Sequence, residues 1–231
     1  MGRLVCIGGG TYEEIDSIAL EIVRLSAKKV PNVLFIGTAL QDSTNPLTSC
    51  KKTFKRVSKG SIVKKLSLIR NSYTDEEIDG LLSWADIIFV GGGNTVFMLQ
   101  EWAKRGLQEK LIRIYREDLA VLCGISAGAV CWFTTAYTDS DSYLGQESWE
   151  YRMMAPGINL LDYVICPHYN IPGREKFDTE VEKTGKTGIA LEDNTALIDN
   201  QGKISYIKAD ERAHVWNFIP EGGVYRKTEV I

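Results

Sequence analysis

Short apolar runs alternate with segments of helical periodicity over the first half of the chain. The apolar runs at residues 4–7, 33–37, 62–68, 85–90 and 119–123 are typical of buried or half-buried strands. Strands that alternate with helices predict an α/β fold whose mostly parallel central sheet is covered by helices on both faces, a three-layer sandwich. The spacing of apolar residues between the runs predicts helices at residues 12–28, 49–57, 75–84 (with Thr74 as N-cap), 96–105 and 107–117.

The pattern changes after about residue 134. Residues 137–154 are polar, aromatic and irregular, and we expect them to form loops. Because no linker, repeat or low-complexity segment interrupts the chain, residues 1–231 are predicted to form one domain. Further strands are expected at residues 164–166, 189–191, 196–198, 203–207, 215–219 and 223–226, with a hairpin turn at 200–202.

Composition excludes several classes of function. A net charge of −3 provides no basic field for nucleic acid. No apolar run approaches the roughly 20 residues that cross a bilayer, and the first predicted strand leaves no room for a signal peptide. The five cysteines form no CxxC pair and are interpreted as reduced core residues of a cytoplasmic protein.

The most informative motif is Gly-x-Ser-x-Gly at residues 124–128, directly after a predicted strand and before a helix-like segment. This is the layout of a nucleophile elbow, in which a sharp turn exposes the serine hydroxyl at the carboxyl end of a sheet. The motif predicts Ser126 as a nucleophile. Without the preceding strand, the same five residues would be a weak signal, because Gly and Ser are common in loops.

A serine nucleophile needs a base, and the chain has only two histidines. His168 follows the predicted strand at residues 164–166, at the sheet end where the elbow also points, so we expect it to be the base. His214 lies in a late hairpin and is interpreted as structural. With two histidines and no cysteine cluster, no metal site is predicted.

A carboxylate must hold the imidazole in one tautomer. Glu192 is the preferred candidate, because it follows the apolar run at residues 189–191. Its neighbour Asp193 would face the other way on a strand. Asp139 and Asp141, in the irregular stretch, remain alternatives.

Backbone donors for an oxyanion are predicted from two places. The N–H of Ala127 follows the nucleophile, and the glycine run at residues 91–93 lets bare backbone approach a substrate. Neither this run nor the one at residues 8–10 completes a P-loop or a GxGxxG fingerprint, so no nucleotide or other cofactor is expected.

Four blocks, at residues 89–95, 124–129, 166–169 and 191–196, together resemble the peptidase E and cyanophycinase group of serine peptidases. The resemblance spans most of the chain, to about residue 200. It implies a fold like the class I glutamine amidotransferase domain with a Ser-His-acid triad. It also implies an oxyanion hole at Gly92 and Ala127.

The resemblance leaves the acid and the substrate open. Cyanophycinase-like members use a glutamate in the block that contains Glu192, whereas peptidase E-like members use an aspartate between serine and histidine. Peptidase E cleaves dipeptides with an N-terminal aspartate, and cyanophycinase cleaves β-aspartyl-arginine links. Because Cys166-Pro167 looks closer to peptidase E, we expect a dipeptidase for N-terminal aspartate.

Recognition of a substrate aspartate requires a cation, and a guanidinium suits a carboxylate best. Arg174, six residues after His168, is the first candidate and Arg152 the second. Asn94, directly after the glycine run, is a further expected substrate contact. The remaining alternatives are an isoaspartyl peptidase and a non-catalytic binding protein of the same fold, and analogy with this fold suggests a homodimer.

Overall fold

The structure is a computed structural model that describes residues 1–140, 150–154 and 157–231. These residues form thirteen strands in two sheets, with helices packed between and around them. The strands are β1 (Arg3–Ile7), β2 (Asn32–Ile36), β3 (Ile62–Leu66), β4 (Ile87–Val90), β5 (Val121–Ile125), β6 (Phe133–Thr138), β7 (Arg152–Met154), β8 (Leu161–Cys166), β9 (Gly188–Leu191), β10 (Thr195–Asn200), β11 (Lys203–Lys208), β12 (Val215–Glu221) and β13 (Val224–Glu229). The helices are α1 (Asp16–Leu25), α2 (Thr44–Val57), α3 (Asp75–Trp84), α4 (Thr95–Ala103), α5 (Leu107–Arg116), α6 (Ala127–Val130) and α7 (Phe177–Glu182), with short 3-10 turns at Thr38–Leu40 and Arg174–Lys176.

The first sheet confirms the predicted parallel α/β core. Its order is β11-β10-β1-β5-β4-β2-β3, and the five strands from β1 to β3 in that order are parallel. The hairpin of β10 and β11 is added antiparallel to β1 at the edge. The carboxyl ends of β1, β4 and β5 therefore lie side by side.

A second, six-stranded sheet was not expected from the sequence. Its order is β13-β12-β9-β8-β6-β7, with β6, β8 and β9 parallel and the outer strands antiparallel. The predicted α/β class with a mostly parallel sheet is confirmed, while several of the later strands pair in a sheet of their own. Residues 137–138 and 152–154, which were expected to lie in loops, belong to β6 and β7. The strand β7 has only three residues, and β6 has two half-buried positions in succession followed by three buried ones, so neither shows a regular alternation.

The core joins the two sheets. One cluster of buried apolar side chains includes Leu4 and Leu122 of the first sheet with Phe133 and Ile165 of the second. The five cysteines are all unpaired and buried, as expected for core residues.

The predicted start of α3 is confirmed in detail. The Thr74 hydroxyl accepts a hydrogen bond from Glu77 N–H, and the Glu77 carboxylate accepts from Thr74 N–H, which is a capping box. In the described part of the chain, no helix is long and apolar enough to span a membrane.

Candidate active site

Ser126 occupies a strained turn between β5 and α6. Its φ is 55° and its ψ is −118°, a combination that costs energy for any residue except glycine. The turn is held by a hydrogen bond from Ser126 N–H to the carbonyl of Ile7, 3.0 Å long, at the end of β1. This geometry is that of the nucleophile elbow predicted from the motif.

The two glycines of the motif are required by close backbone contacts. A Cβ atom at Gly124 would lie 2.1 Å from the carbonyl oxygen of Gly128, and one at Gly128 would lie 2.2 Å from that of Val90. The elbow therefore packs so tightly on β4 and β5 that only glycine fits at either position.

His168 lies directly against the serine. Its Nε2 is 2.8 Å from Ser126 Oγ, which is hydrogen-bond distance. The histidine follows β8 of the second sheet, whereas the serine follows β5 of the first. The site is thus built where the carboxyl ends of strands from two sheets converge, rather than at the end of one sheet.

Asp193 is the carboxylate that contacts the imidazole. Its Oδ1 is 2.6 Å from His168 Nδ1. Because a carboxylate only accepts, this contact assigns the proton to Nδ1 and leaves Nε2 to accept from the Ser126 hydroxyl. The three side chains form a continuous Ser-His-Asp chain of hydrogen bonds.

The expectation that Glu192 contacts the histidine is corrected by this geometry. The Glu192 carboxylate instead accepts a hydrogen bond of 2.9 Å from the backbone N–H of His214. The strand β9 ends at Leu191, so alternation along a strand does not apply to the next two residues. The turn from β9 to β10 carries the chain from the second sheet to the first, and it aims Asp193 at the site.

The environment keeps the Asp193 carboxylate ionised. Burial alone would raise its pKa, but the hydrogen bond and charge of His168, together with hydrogen bonds from Asn170 and Gly10, outweigh burial. The pKa of Asp193 is therefore lowered. An ionised acid at this position stabilises the imidazolium that forms when the histidine takes a proton.

Of the other two acid candidates, Asp139 does not enter this arrangement. Asp139 lies 3.8 Å from a guanidinium nitrogen of Arg174, and Asp141 lies outside the described residues.

The expected oxyanion donors lie beside the nucleophile. Gly92 approaches the serine so closely that a Cβ atom there would be 3.3 Å from Ser126 Cβ and 3.8 Å from Oγ. Its neighbour Gly93 has a φ of 135° and passes within contact of the Ala39 carbonyl, which fixes the turn. Ala127, as the first residue of α6, follows Ser126 directly.

Both polar atoms of the Asn94 side chain are hydrogen bonded within the protein. Its side-chain oxygen accepts from Phe97 N–H (2.8 Å) and caps α4, while its amide nitrogen donates to the carbonyl of Ser140 (2.7 Å). The residue is buried. The structure thus shows Asn94 joining Ser140, two residues after the end of β6, to the glycine turn, in place of the predicted substrate contact.

Arg174 is likewise used internally. Its side chain is only 5% exposed, it donates to the carbonyl of Tyr137, and its guanidinium stacks 3.9 Å from the ring centre of Tyr151. A substrate carboxylate would have to compete with Asp139 for this cation. Arg152, the second candidate, lies in β7 with an exposed side chain.

Two contributors to the site were not anticipated from the sequence. The Asn170 side chain contacts both the backbone N–H and the carboxylate of Asp193, and Gly9 lies against the imidazole. For Gly9, the only available signal in the sequence was a glycine run at the end of a strand. Within the described ranges, no group of three histidine, cysteine, aspartate or glutamate side chains is placed to hold a metal ion.

Comparison with known proteins identifies the class. The profile of Peptidase family S51 matches residues 4–207. An uncharacterized peptidase of Bacillus subtilis strain 168, YgaJ, is 31% identical over 173 residues, which cover 74% of this chain and 70% of that protein. An uncharacterized peptidase of Pasteurella multocida is 30% identical over 156 residues, or 64% of this chain and 72% of that protein.

Solved structures share the fold. The crystal structure of a peptidase from an acI-B1 Actinobacterium superposes with a TM-score of 0.70 at 19% identity, covering 99% of this chain and 94% of that one. A candidate peptidase E of Listeria monocytogenes EGD-e superposes with a TM-score of 0.67 at 20% identity, covering 90% and 98%. The matched profile defines a peptidase. The chain belongs to peptidase family S51.

Proposed function

We propose that this chain is a serine peptidase in which Ser126 is the nucleophile, His168 the general base and Asp193 the acid. The observation that carries the proposal is the pair of contacts at His168, 2.8 Å to Ser126 Oγ and 2.6 Å to Asp193 Oδ1. A histidine held between a hydroxyl and a carboxylate is the arrangement that activates serine.

The first chemical step forms an acyl-enzyme. His168 Nε2 takes the hydroxyl proton as Ser126 Oγ attacks the peptide carbonyl carbon. The carbonyl oxygen becomes an oxyanion that accepts from the N–H groups of Gly92 and Ala127. His168 then donates its proton to the departing amine as the C–N bond breaks.

The second step releases the product. Water gives a proton to His168 and attacks the acyl carbon, after which the proton returns to Ser126 Oγ. Throughout, Asp193 remains ionised and holds the imidazole in the tautomer that both steps need.

For the substrate, we propose short peptides, with dipeptides carrying an N-terminal aspartate as the first choice. The support is the resemblance of the motif blocks to peptidase E and the likeness to a candidate peptidase E structure. The alternative substrate is a β-aspartyl dipeptide, which the same site would cleave if the substrate main chain entered shifted by one carbon.

The test is hydrolysis of a panel of Asp-X, β-Asp-X and neutral dipeptides by the wild type and Ser126→Ala. We expect Asp-X to be cleaved and the variant to lose activity by a factor on the order of 10⁶. Ser126→Ala adds no atoms, so its thermal midpoint should match that of the wild type, which separates a chemical loss from unfolding.

Other outcomes have definite meanings. Cleavage confined to β-Asp-X would replace the proposed substrate by the isoaspartyl one. A binding protein without turnover would show no cleavage, and its Ser126 would also fail to react with a small fluorophosphonate. Undiminished activity of Ser126→Ala would contradict the assignment of the nucleophile.

A further inference from the structure

The glycine turn after β1 lies directly on the His168–Asp193 pair. A Cβ atom at Gly9 would be 2.0 Å from Asp193 Oδ1, 2.2 Å from His168 Nδ1 and 2.3 Å from its Cε1. Because real Cβ atoms do not approach other heavy atoms within 3.0 Å, the imidazole and carboxylate fill the space that any side chain at Gly9 would need.

The same turn is hydrogen bonded to the segments that carry the pair. The carbonyl of Gly8 accepts from His168 N–H at 3.2 Å, and the carbonyl of Gly9 accepts from Asn194 N–H at 3.0 Å. The backbone of residues 8–10 therefore fixes the positions of His168 and of the turn that contains Asp193 relative to the end of β1. The Ile7 carbonyl at the end of β1 also accepts a hydrogen bond from Ser126 N–H. The end of this one strand therefore positions Ser126, His168 and the turn that contains Asp193.

Asn170 fixes Asp193 from the solvent side. Its side-chain oxygen accepts from Asp193 N–H at 2.9 Å, and its amide nitrogen lies 3.5 Å from Asp193 Oδ2. Asn170 is exposed, so these contacts are accessible to mutation without opening the core.

We propose that Gly9 and Asn170 are positioning residues that hold Asp193 and His168 between them, in line with Ser126. This inference rests on the proposed function, since alignment matters only if the three residues react. Neither residue is required to touch the substrate. A displacement of about 1 Å in such an arrangement can lower the rate about 100-fold.

The direct test is Gly9→Ala, with Gly2→Ala as the matched control. The control makes the same change at the other end of β1, where the new Cβ would meet the Tyr115 carbonyl oxygen at 2.4 Å. We expect Gly9→Ala to lower kcat about 100-fold with little change in KM. Gly2→Ala should lower thermal stability while kcat stays near the wild-type value.

A double-mutant cycle distinguishes positioning from general damage. In the wild type, Asp193→Asn should cost a factor on the order of 10⁴ in kcat. In the Gly9→Ala background the acid is already displaced, so the same substitution should cost far less. If Gly9→Ala and Asp193→Asn lower kcat by independent factors that multiply in the double variant, the inference is overturned.

A readout without turnover separates this inference from the proposed function. Nitrogen-15 NMR reports the imidazole tautomer, and with only His168 and His214 in the chain, His214→Gln assigns the signals. We expect Nδ1–H for His168 in the wild type and Gly2→Ala, and a shift toward Nε2–H in Gly9→Ala. This shift in a protein that cleaves no peptide would support the positioning role and contradict the peptidase.

Asn170→Ala keeps the proposal testable if Gly9→Ala does not fold. It removes atoms from an exposed side chain, so the fold should persist. We expect kcat to fall about 10-fold, because both contacts of the side chain with Asp193 are lost, the 2.9 Å bond from Asp193 N–H and the 3.5 Å approach to Oδ2. Wild-type kcat in an active enzyme with this substitution, or an unchanged tautomer in Gly9→Ala, would refute the positioning role of Gly9 and Asn170.

Discussion

Two adjacent carboxylates, those of Glu192 and Asp193, have different partners. Asp193 contacts the imidazole, and Glu192 contacts the backbone of His214. Asp193→Asn should therefore lower kcat by a factor on the order of 10⁴, because the amide stabilises the wrong tautomer and carries no charge. Glu192→Gln keeps an acceptor for the His214 N–H and should leave kcat unchanged.

Steady-state kinetics of the two variants, with the thermal midpoint of each as a control for folding, shows which of the two carboxylates acts as the acid. The reverse ranking would restore Glu192 as the acid and would require a turn different from that described.

The lowered pKa of Asp193 also predicts how its contribution to stability depends on pH. The folded-state pKa lies below the ordinary aspartate value of about 3.9, so the unfolded state takes up the proton first. The contribution is fully present above that value and is lost as pH falls through the folded-state pKa. Urea unfolding at about pH 6 and about pH 3 should show a smaller loss of stability for Asp193→Asn than for the wild type. Equal losses in both proteins would show that Asp193 has no lowered pKa.

Residue-level roles could be predicted only where a motif fixes them. The contact between Ser126 and His168 could be predicted because each residue follows an apolar run that ends at a glycine or proline. The contact of Asp193 could not be predicted, because the choice between Asp193 and Glu192 depends on where β9 ends. A shift of that end by one residue exchanges the directions in which the two side chains point. The internal contacts of Asn94 and Arg174 depend on Ser140, Tyr137 and Tyr151, which lie far from either in sequence or on another element.

At the scale of elements, the contact between the elbow and β4 predicts a contrast between two glycines in helices. Gly128→Ala forces a Cβ against the Val90 carbonyl, so we expect a lower unfolding temperature and a loss of activity. Gly80 in α3 is exposed, with no atom within 4 Å of a new Cβ. Gly80→Ala should stabilise the protein by about 1 kcal/mol through helix propensity.

Thermal unfolding and activity assays of both variants test this contrast. Wild-type activity of Gly128→Ala would contradict this prediction, because it would show that the elbow can shift away from the Val90 carbonyl without loss of function.

Elements with strong local signals were predicted well. The helix α3 begins at its predicted cap, and the buried strands β1, β2, β4 and β5 lie within two residues of their predicted bounds. The second sheet was missed because its pairing joins β6, β8 and β9 across long stretches of sequence. Local periodicity does not contain such pairings.

At the scale of the whole molecule, the shared core predicts how the chain unfolds. One cluster of buried apolar side chains contains residues of both sheets, and β9 passes through a short turn into β10 of the other sheet. We therefore expect a single cooperative transition, with equal calorimetric and van't Hoff enthalpies and coincident fluorescence and circular dichroism curves. Two resolved transitions would divide the chain into two domains.

The passage of the chain between the sheets also sets the order in which the site is completed during synthesis. Ser126 leaves the ribosome well before His168, and the acid turn follows later still. A nascent chain that has formed only the first parallel strands presents the serine without a base. If Ser126, His168 and Asp193 act together as proposed, an incomplete chain cannot yet hydrolyse peptides at its full rate, and we expect a fragment that ends before residue 193 to be nearly inactive.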